Sequence, residues 1–175
     1  MPKSLQPAAD DSAFASRESA EEFLARYLPI ATAGNPKYRS GTAGVAMAWI
    51  TKAITFGPGK NADGRLVSMS EEVLEFRNGV RSATGSHEAE FLIEDVQASE
   101  HTDSAALTEG GEIGLGIIFN CNSGKCIQSK YDGVPSSADQ TDISIQDAIL
   151  RGRILKAFQT LKQAAGDRKA PPDAK

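Results

Sequence analysis

The end of the chain carries the pattern that most strongly limits the fold. Its apolar residues recur at helical spacing along one face of a segment from about Ser144 to Ala165. These residues are Leu150, Ile154, Ala157, Phe158, Leu161 and Ala165. Ser144 is placed to cap the first turn, with Asp147 three residues later, and Gly166 follows the last turn. The residues from about Gly44 to this helix are predicted to form short strands and turns. The helix is therefore expected to pack on a sheet or to close one end of it.

The length and the two ends define one domain. A chain of 175 residues can bury one substantial core. Residues 1–15 and 167–175 are rich in small, polar and proline residues and are predicted to be flexible tails. The globular domain is therefore predicted to span residues 16–166, and a hydrophobic content of 40% argues against disorder of the whole chain.

The net charge and the hydropathy of the chain limit the classes of partner that it is expected to bind. The net charge is −4 and the isoelectric point is near 5.2, which argues against nucleic acid as a partner. No run of 18 apolar residues occurs, so no integral membrane association is expected. The N-terminus lacks the apolar stretch of a secretory signal, and two cysteines fit a reducing cytoplasm. The predicted location is therefore cytoplasmic.

A first helix is predicted near the N-terminus. It starts at Ser16 or Ser19, and Ser19 with Glu22 forms a capping-box pair. Phe23, Leu24, Tyr27 and Leu28 form its apolar stripe, and Pro29 is expected to stop it.

The middle of the chain is predicted to form antiparallel strands. Residues 45–56 alternate in a way that favours a strand, although their alanines also permit a helix. Short strands are predicted at 66–69, 73–77, 88–93 and 96–101, and Asn78-Gly79 is a strong hairpin turn.

The clearest strand covers residues 113–121 and turns at 122–124 into a partner over 125–131. A three-residue loop pairs Phe119 with Ile127 and buries the most apolar surface, whereas a two- or four-residue loop places Gln128 opposite Phe119. The preferred register sends Cys121 and Cys126 to opposite faces, which argues against a disulfide between them.

The chain has six or seven short strands, the Asn-Gly turn, an Ile-Glu-Asp-Val stretch, a hairpin from Ile-Ile-Phe-Asn-Cys to Lys-Cys-Ile and the final amphipathic helix. In this order it resembles bacterial pleckstrin-homology-like domains over about residues 45–165. The resemblance implies a bent antiparallel barrel closed at one end by the C-terminal helix, and a role in binding phosphoinositide head groups, peptides or proteins without catalysis. The N-terminal helix is an addition to that pattern.

Four basic residues are the candidate contacts with a ligand or partner. Lys60 and Arg65 lie in the loop that matches the lipid-binding loop of the family, beside Asp63. Arg151 and Lys162 are three turns apart on the C-terminal helix and share one side of it.

Metal binding and catalysis have little support in the sequence. His87 and His101, near Glu88, Glu90 and Asp103, match no zinc spacing, and solvated strand ends are the preferred interpretation. Cys121 is interpreted as a small buried hydrophobe rather than a nucleophile. The sequence contains no nucleophile elbow and no metalloprotease motif, so no catalytic residue, metal or cofactor is predicted.

These observations predict an α+β domain, a small bent antiparallel barrel or sandwich closed by a C-terminal helix, with an extra N-terminal helix. The predicted function is non-catalytic binding of a protein or peptide, as in an adaptor or an immunity protein. The alternatives are binding of a small molecule or lipid head group, and an enzyme without a recognisable motif.

Overall fold

A computed structural model describes residues 14–34, 37–40, 45–60, 63–101 and 115–166 of the chain. These residues form two helices and nine strands. The helices are α1 (Arg17–Gly34) and α2 (Ala148–Gly166). The strands are β1 (Lys37–Ser40), β2 (Val45–Pro58), β3 (Arg65–Arg77), β4 (Val80–Leu92), β5 (Val96–His101), β6 (Gly116–Cys121), β7 (Ile127–Tyr131), β8 (Val134–Ala138) and β9 (Gln140–Ser144).

The strands form two antiparallel sheets. The larger has the order β1-β2-β3-β4-β7-β8, and the smaller has the order β5-β6-β9. The α+β class, the antiparallel pairing and the C-terminal helix are thus confirmed. The described strands do not close into a barrel. A short 3-10 turn at Ile93–Asp95 carries the chain from β4 into the smaller sheet.

Three long strands, β2 to β4, dominate the larger sheet. Residues 45–58 form a strand throughout, which decides the choice left open between strand and helix. The expected short strands at 66–69 and 73–77 are one continuous strand, because β3 pairs along its whole length with both neighbours. Asn78-Gly79 forms the predicted hairpin turn, and both residues have positive φ, of 51° and 78°.

The predicted hairpin between residues 113–121 and 125–131 is wrong. Phe119 pairs with Ala98 of β5 and Thr141 of β9, so both edges of β6 are occupied within the smaller sheet. Ile127 instead pairs with Ala138 in the larger sheet. The segment between β6 and β7 therefore crosses from one sheet to the other and does not return along its own strand. Residues 113 and 114 lie outside the described part of the chain.

Both helices begin at caps that differ in part from the predicted ones. Ser16 is the cap of α1, because the Ser19 amide donates to its hydroxyl at 3.1 Å and the Ser16 amide donates back to Ser19 Oγ at 3.1 Å. The predicted capping box of Ser19 and Glu22 is therefore wrong. In α2 the Asp147 carboxylate accepts from the Leu150 amide at 2.8 Å, while Ser144 remains the last residue of β9.

Pro29 lies inside α1 and does not end it, contrary to the prediction. A proline removes one helical hydrogen bond, and packing of the flanking turns can offset that loss. Leu28 and Ala31 are buried on either side of it, and Thr32 donates to the Leu28 carbonyl oxygen at 3.1 Å.

The core lies between the inner faces of both sheets and the two helices. Three aromatic rings in contact mark its centre, with centroids 5.0 Å apart for the tilted pair Phe91 and Phe119 and 4.8 Å apart for the edge-to-face pair Phe119 and Phe158. Each helix buries one stripe there. The buried helix residues are Ala20, Leu24, Leu28 and Ala31 of α1, and Ile154, Ala157, Phe158 and Leu161 of α2.

Candidate functional site

The outer face of the larger sheet is the surface that the helices leave open. Side chains alternate between the two faces of a strand. In β3, Val67 and Met69 point into the core, so Ser68 and Ser70 point outward. In β4, Ala89 and Phe91 are buried in the same core, which leaves Glu88 and Glu90 on the outer face.

This outer face forms a groove with a volume of about 330 Å3. It crosses five strands, from Ala53 and Thr55 on β2 to Pro135 on β8. Neighbouring strands lie about 4.8 Å apart, so the groove is roughly 19 Å long. That length matches about six residues of an extended peptide.

The groove is lined by hydroxyl side chains, the amide of Gln128, the ammonium group of Lys130 and four apolar residues around two carboxylates. Glu88 and Glu90 stand side by side at the middle strand, two residues apart, and both are exposed. Glu90 Oε2 accepts from the Ser68 hydroxyl at 3.0 Å. Glu88 and Lys130 are register partners on β4 and β7, yet neither forms an ion pair within the described part of the chain.

These groove residues were not singled out as contacts by sequence reasoning. The period-two patterns Ser68-Met69-Ser70 and Glu88-Ala89-Glu90 indicate a polar outer face. They do not indicate that this face is concave, because concavity depends on how five strands twist and pair.

The four predicted basic contacts lie elsewhere, and none lines the groove. Lys60 Nζ pairs with Asp95 at 2.8 Å on the 3-10 turn. Arg65 Nε pairs with Glu21 of α1 at 2.6 Å, with 17% of the arginine side chain exposed. Both residues therefore have intramolecular partners.

Lys162 reaches the same corner from α2. Its ammonium group donates to the carbonyl oxygens of Glu94 and Val96 at 2.8 and 2.7 Å. Burial lowers the pKa of Lys162, against the opposing effect of the nearby Asp95 and Glu94 carboxylates. This lysine thus ties the end of α2 to the 3-10 turn.

Arg151 lies about 16 Å from Lys162, toward the N-terminus of α2. It is 5% exposed. Its guanidinium bonds to Glu100 at 2.7 Å and to the Ile145 carbonyl oxygen at 2.9 Å. Arg151 and Lys162 lie on the same side of the helix, as predicted. That side faces the protein itself, because the acceptors of both side chains belong to this chain.

A second polar cluster lies on the inner face of the larger sheet. Thr51, Glu71, His87 and Tyr131 are successive register partners across four strands. Glu71 Oε2 lies 2.6 Å from His87 Nδ1, and the two side chains are 7% and 16% exposed. Burial raises the pKa of Tyr131, as do the Asp132 and Glu75 carboxylates.

The histidines are not assembled into a metal centre. Among the described residues no group of three or more His, Cys, Asp or Glu side chains is placed to hold a metal ion. His87 pairs with the buried Glu71 rather than with the exposed Glu88 or Glu90. Asp103 lies outside the described residues.

Cys121 and Cys126 form a disulfide, contrary to the expectation that they face apart. That expectation required β6 and β7 to be one hairpin. Because the chain instead changes sheets there, the two Cα atoms come within 5.7 Å of each other. The disulfide ties the end of β6 to the start of β7. Strand β7 contributes residues to the lining of the groove.

Comparisons with protein-family models, curated proteins and solved structures find no match to the chain. Neither described helix is long and apolar enough to cross a membrane.

Proposed function

We propose that the chain is a non-catalytic binding module that holds an extended segment of a partner protein in the groove on its outer sheet face. One observation carries this proposal. Both helices pack on the inner side, and the outer face is a groove across five strands, four of which contribute hydrogen-bonding side chains.

The size of the groove supports a peptide segment. A length of roughly 19 Å accommodates about six extended residues. Hydroxyl and amide groups, including Thr55, Ser70 and Gln128, are available to pair with the amides and carbonyls of such a segment. The volume also lies at the small end of the range for small-molecule pockets, which makes a small ligand the competing function.

The chemistry of the groove supports a role without catalysis. Among the described residues that line it there is no histidine and no cysteine, and its two glutamates are both solvent-exposed. Acid and base catalysts are usually tuned by burial or by unequal surroundings. An adaptor or an immunity-type protein is the corresponding biological role, and the negative net charge fits a basic partner.

The proposed relation to pleckstrin-homology-like domains has one support. Without the β7–β8 hairpin, six strands remain within residues 45–165 and β1 before them makes seven, four in the larger sheet and three in the smaller, followed by the helix α2. Seven strands followed by a helix is the arrangement that the resemblance implies. On this proposal, α1 and the β7–β8 hairpin are additions, and the hairpin builds one wall of the groove.

The disulfide bears on the cellular compartment in which the protein works. A cytoplasmic location was expected from the sequence, whereas a disulfide persists mainly in oxidising compartments. The Cys121–Cys126 pair therefore favours an oxidising compartment. Intact-mass analysis after rapid acid quenching and thiol alkylation of cells would count the free thiols and decide between the two.

The groove is tested with a displayed library of random dodecapeptides. Wild-type protein should select a family of peptides, and Ser70→Trp, which fills the floor of the groove, should bind them at least tenfold more weakly. Ser99→Trp adds the same side chain to an exposed position of the smaller sheet and should bind like wild type. Selected peptides that bind all three proteins equally would reject the groove as the site.

A further inference from the structure

Resting on the proposed function, we infer that the partner segment places one lysine or arginine side chain at the centre of the groove, clamped between Glu88 and Glu90. The two glutamates follow each other on the outer face of β4, the middle strand of the five. Alternate residues of a strand lie about 7 Å apart, which allows one cationic group to contact both carboxylates.

The rest of the lining excludes the other ligand classes. Phosphate groups are bound by clustered arginine and lysine, and the groove has Lys130 against two glutamates. Sugars and nucleobases stack on aromatic rings, and no aromatic residue lines the groove within the part of the chain that the structure describes. A wholly apolar ligand needs a continuous apolar lining, whereas here apolar residues such as Ala53 and Pro135 alternate with hydroxyl and carboxylate side chains.

The two carboxylates are also available. Glu90 accepts one hydrogen bond from Ser68 and keeps further acceptor capacity. Glu88 forms no ion pair with its register partner Lys130 or with any other described residue. Two half-buried glutamates of the same sheet differ in this respect, because Glu72 pairs with Lys52 at 2.9 Å and Glu75 with Arg77 at 2.8 Å.

Lys130 limits the site to one cation. It lies beside Glu88 on the next strand, so a second positive side chain toward β7 and β8 would meet a like charge. We therefore expect a single basic residue flanked by small polar residues rather than a run of basic residues.

The test uses calorimetric titration of blocked hexapeptides. One peptide carries a central arginine between serine and glycine residues, and its twin carries citrulline, the neutral isostere of arginine. The arginine peptide should bind about tenfold more tightly, the effect of a charge-assisted hydrogen bond. A lysine twin compares the two cations, and free arginine methyl ester tests whether the side chain suffices without a peptide.

Protein variants locate the contact. Glu88→Gln and Glu90→Gln should each weaken the arginine peptide about fivefold and leave the citrulline peptide unchanged. Glu22→Gln removes an exposed carboxylate from α1 and should change neither. Circular dichroism melts would verify that all variants fold.

The outcomes separate this inference from the proposed function. Equal binding of the arginine and citrulline peptides, with loss of both in Ser70→Trp, would overturn the central cation and keep the groove. Insensitivity to Ser70→Trp would reject the groove itself. Free arginine methyl ester binding as tightly as the peptide would overturn the peptide in favour of a small cationic ligand.

Discussion

Glu71 and His87 lie opposite each other on β3 and β4, with Oε2 and Nδ1 2.6 Å apart and both side chains largely buried. They sit on the inner face, one row beyond Met69 and Ala89, where the apolar core gives way to a polar row. A carboxylate in this position needs its partner, because an unpaired buried charge is costly.

The first prediction concerns this pair. His87→Ala should lower the free energy of unfolding by about 3 kcal/mol, because it leaves the Glu71 carboxylate buried and unpaired. Glu71→Ala with His87→Ala should cost less than the sum of the two single changes, by at least about 1 kcal/mol. Urea denaturation of the four proteins measures the cycle, and additive losses would show that the two groups do not interact.

The second prediction concerns the disulfide. Replacing Cys121 and Cys126 by serine should reduce the free energy of unfolding by about 2 kcal/mol, the entropic effect expected for so short a loop. Hydrogen exchange should accelerate in β7 and β8 more than in β5 or β9, because the bond anchors the first of these strands. The control is wild-type protein treated with dithiothreitol, which should behave like the serine variant. An unchanged denaturation midpoint in both samples would contradict the prediction.

The third prediction contrasts two glycines. An added Cβ at Gly116 of β6 would collide with the carbonyl oxygen of Ile143 on β9, so Gly116→Ala should cost about 3 kcal/mol or more. An added Cβ at Gly152 of α2 meets no atom of the described residues within 4 Å, so Gly152→Ala should stabilise by about 0.5 to 1 kcal/mol. Thermal melts compare the two directly, and equal effects of the same substitution would show that β6 and β9 do not approach so closely.

The fourth prediction is a pH dependence. Burial raises the pKa of Tyr131 above its usual value of 10.0. The folded protein then holds this proton more tightly than the unfolded chain, so the contribution to stability is complete below pH 10 and is lost as pH rises through the folded pKa. The stability of wild type relative to Tyr131→Phe should therefore fall as the pH rises above 10.

Spectrophotometric titration at the tyrosinate band supplies the independent measurement. The chain has three tyrosines, and the difference between wild type and Tyr131→Phe isolates the titration of Tyr131. A difference curve centred at or below pH 10 would contradict the raised pKa.

The sequence alone determined the features that depend on near neighbours. The stripe from Leu150 to Leu161 specifies an amphipathic helix whatever it packs against, and Asn78-Gly79 specifies a tight turn through its backbone preferences. The strands predicted at 66–69, 73–77, 88–93 and 96–101 likewise follow from local patterns and turn residues. These signals were enough for the α+β class and for antiparallel pairing.

The tertiary structure alone decided which strands pair. Phe119 and Ile127 are close in sequence and could have formed a hairpin, but pairing of β6 with β5 and β9 satisfies both of its edges within another sheet. That long-range choice brings Cys121 and Cys126 together and shapes the groove around Glu88 and Glu90. Pairing energy is shared among distant segments, so local patterns cannot specify it, and both the disulfide and the candidate site emerge only when the sheets assemble.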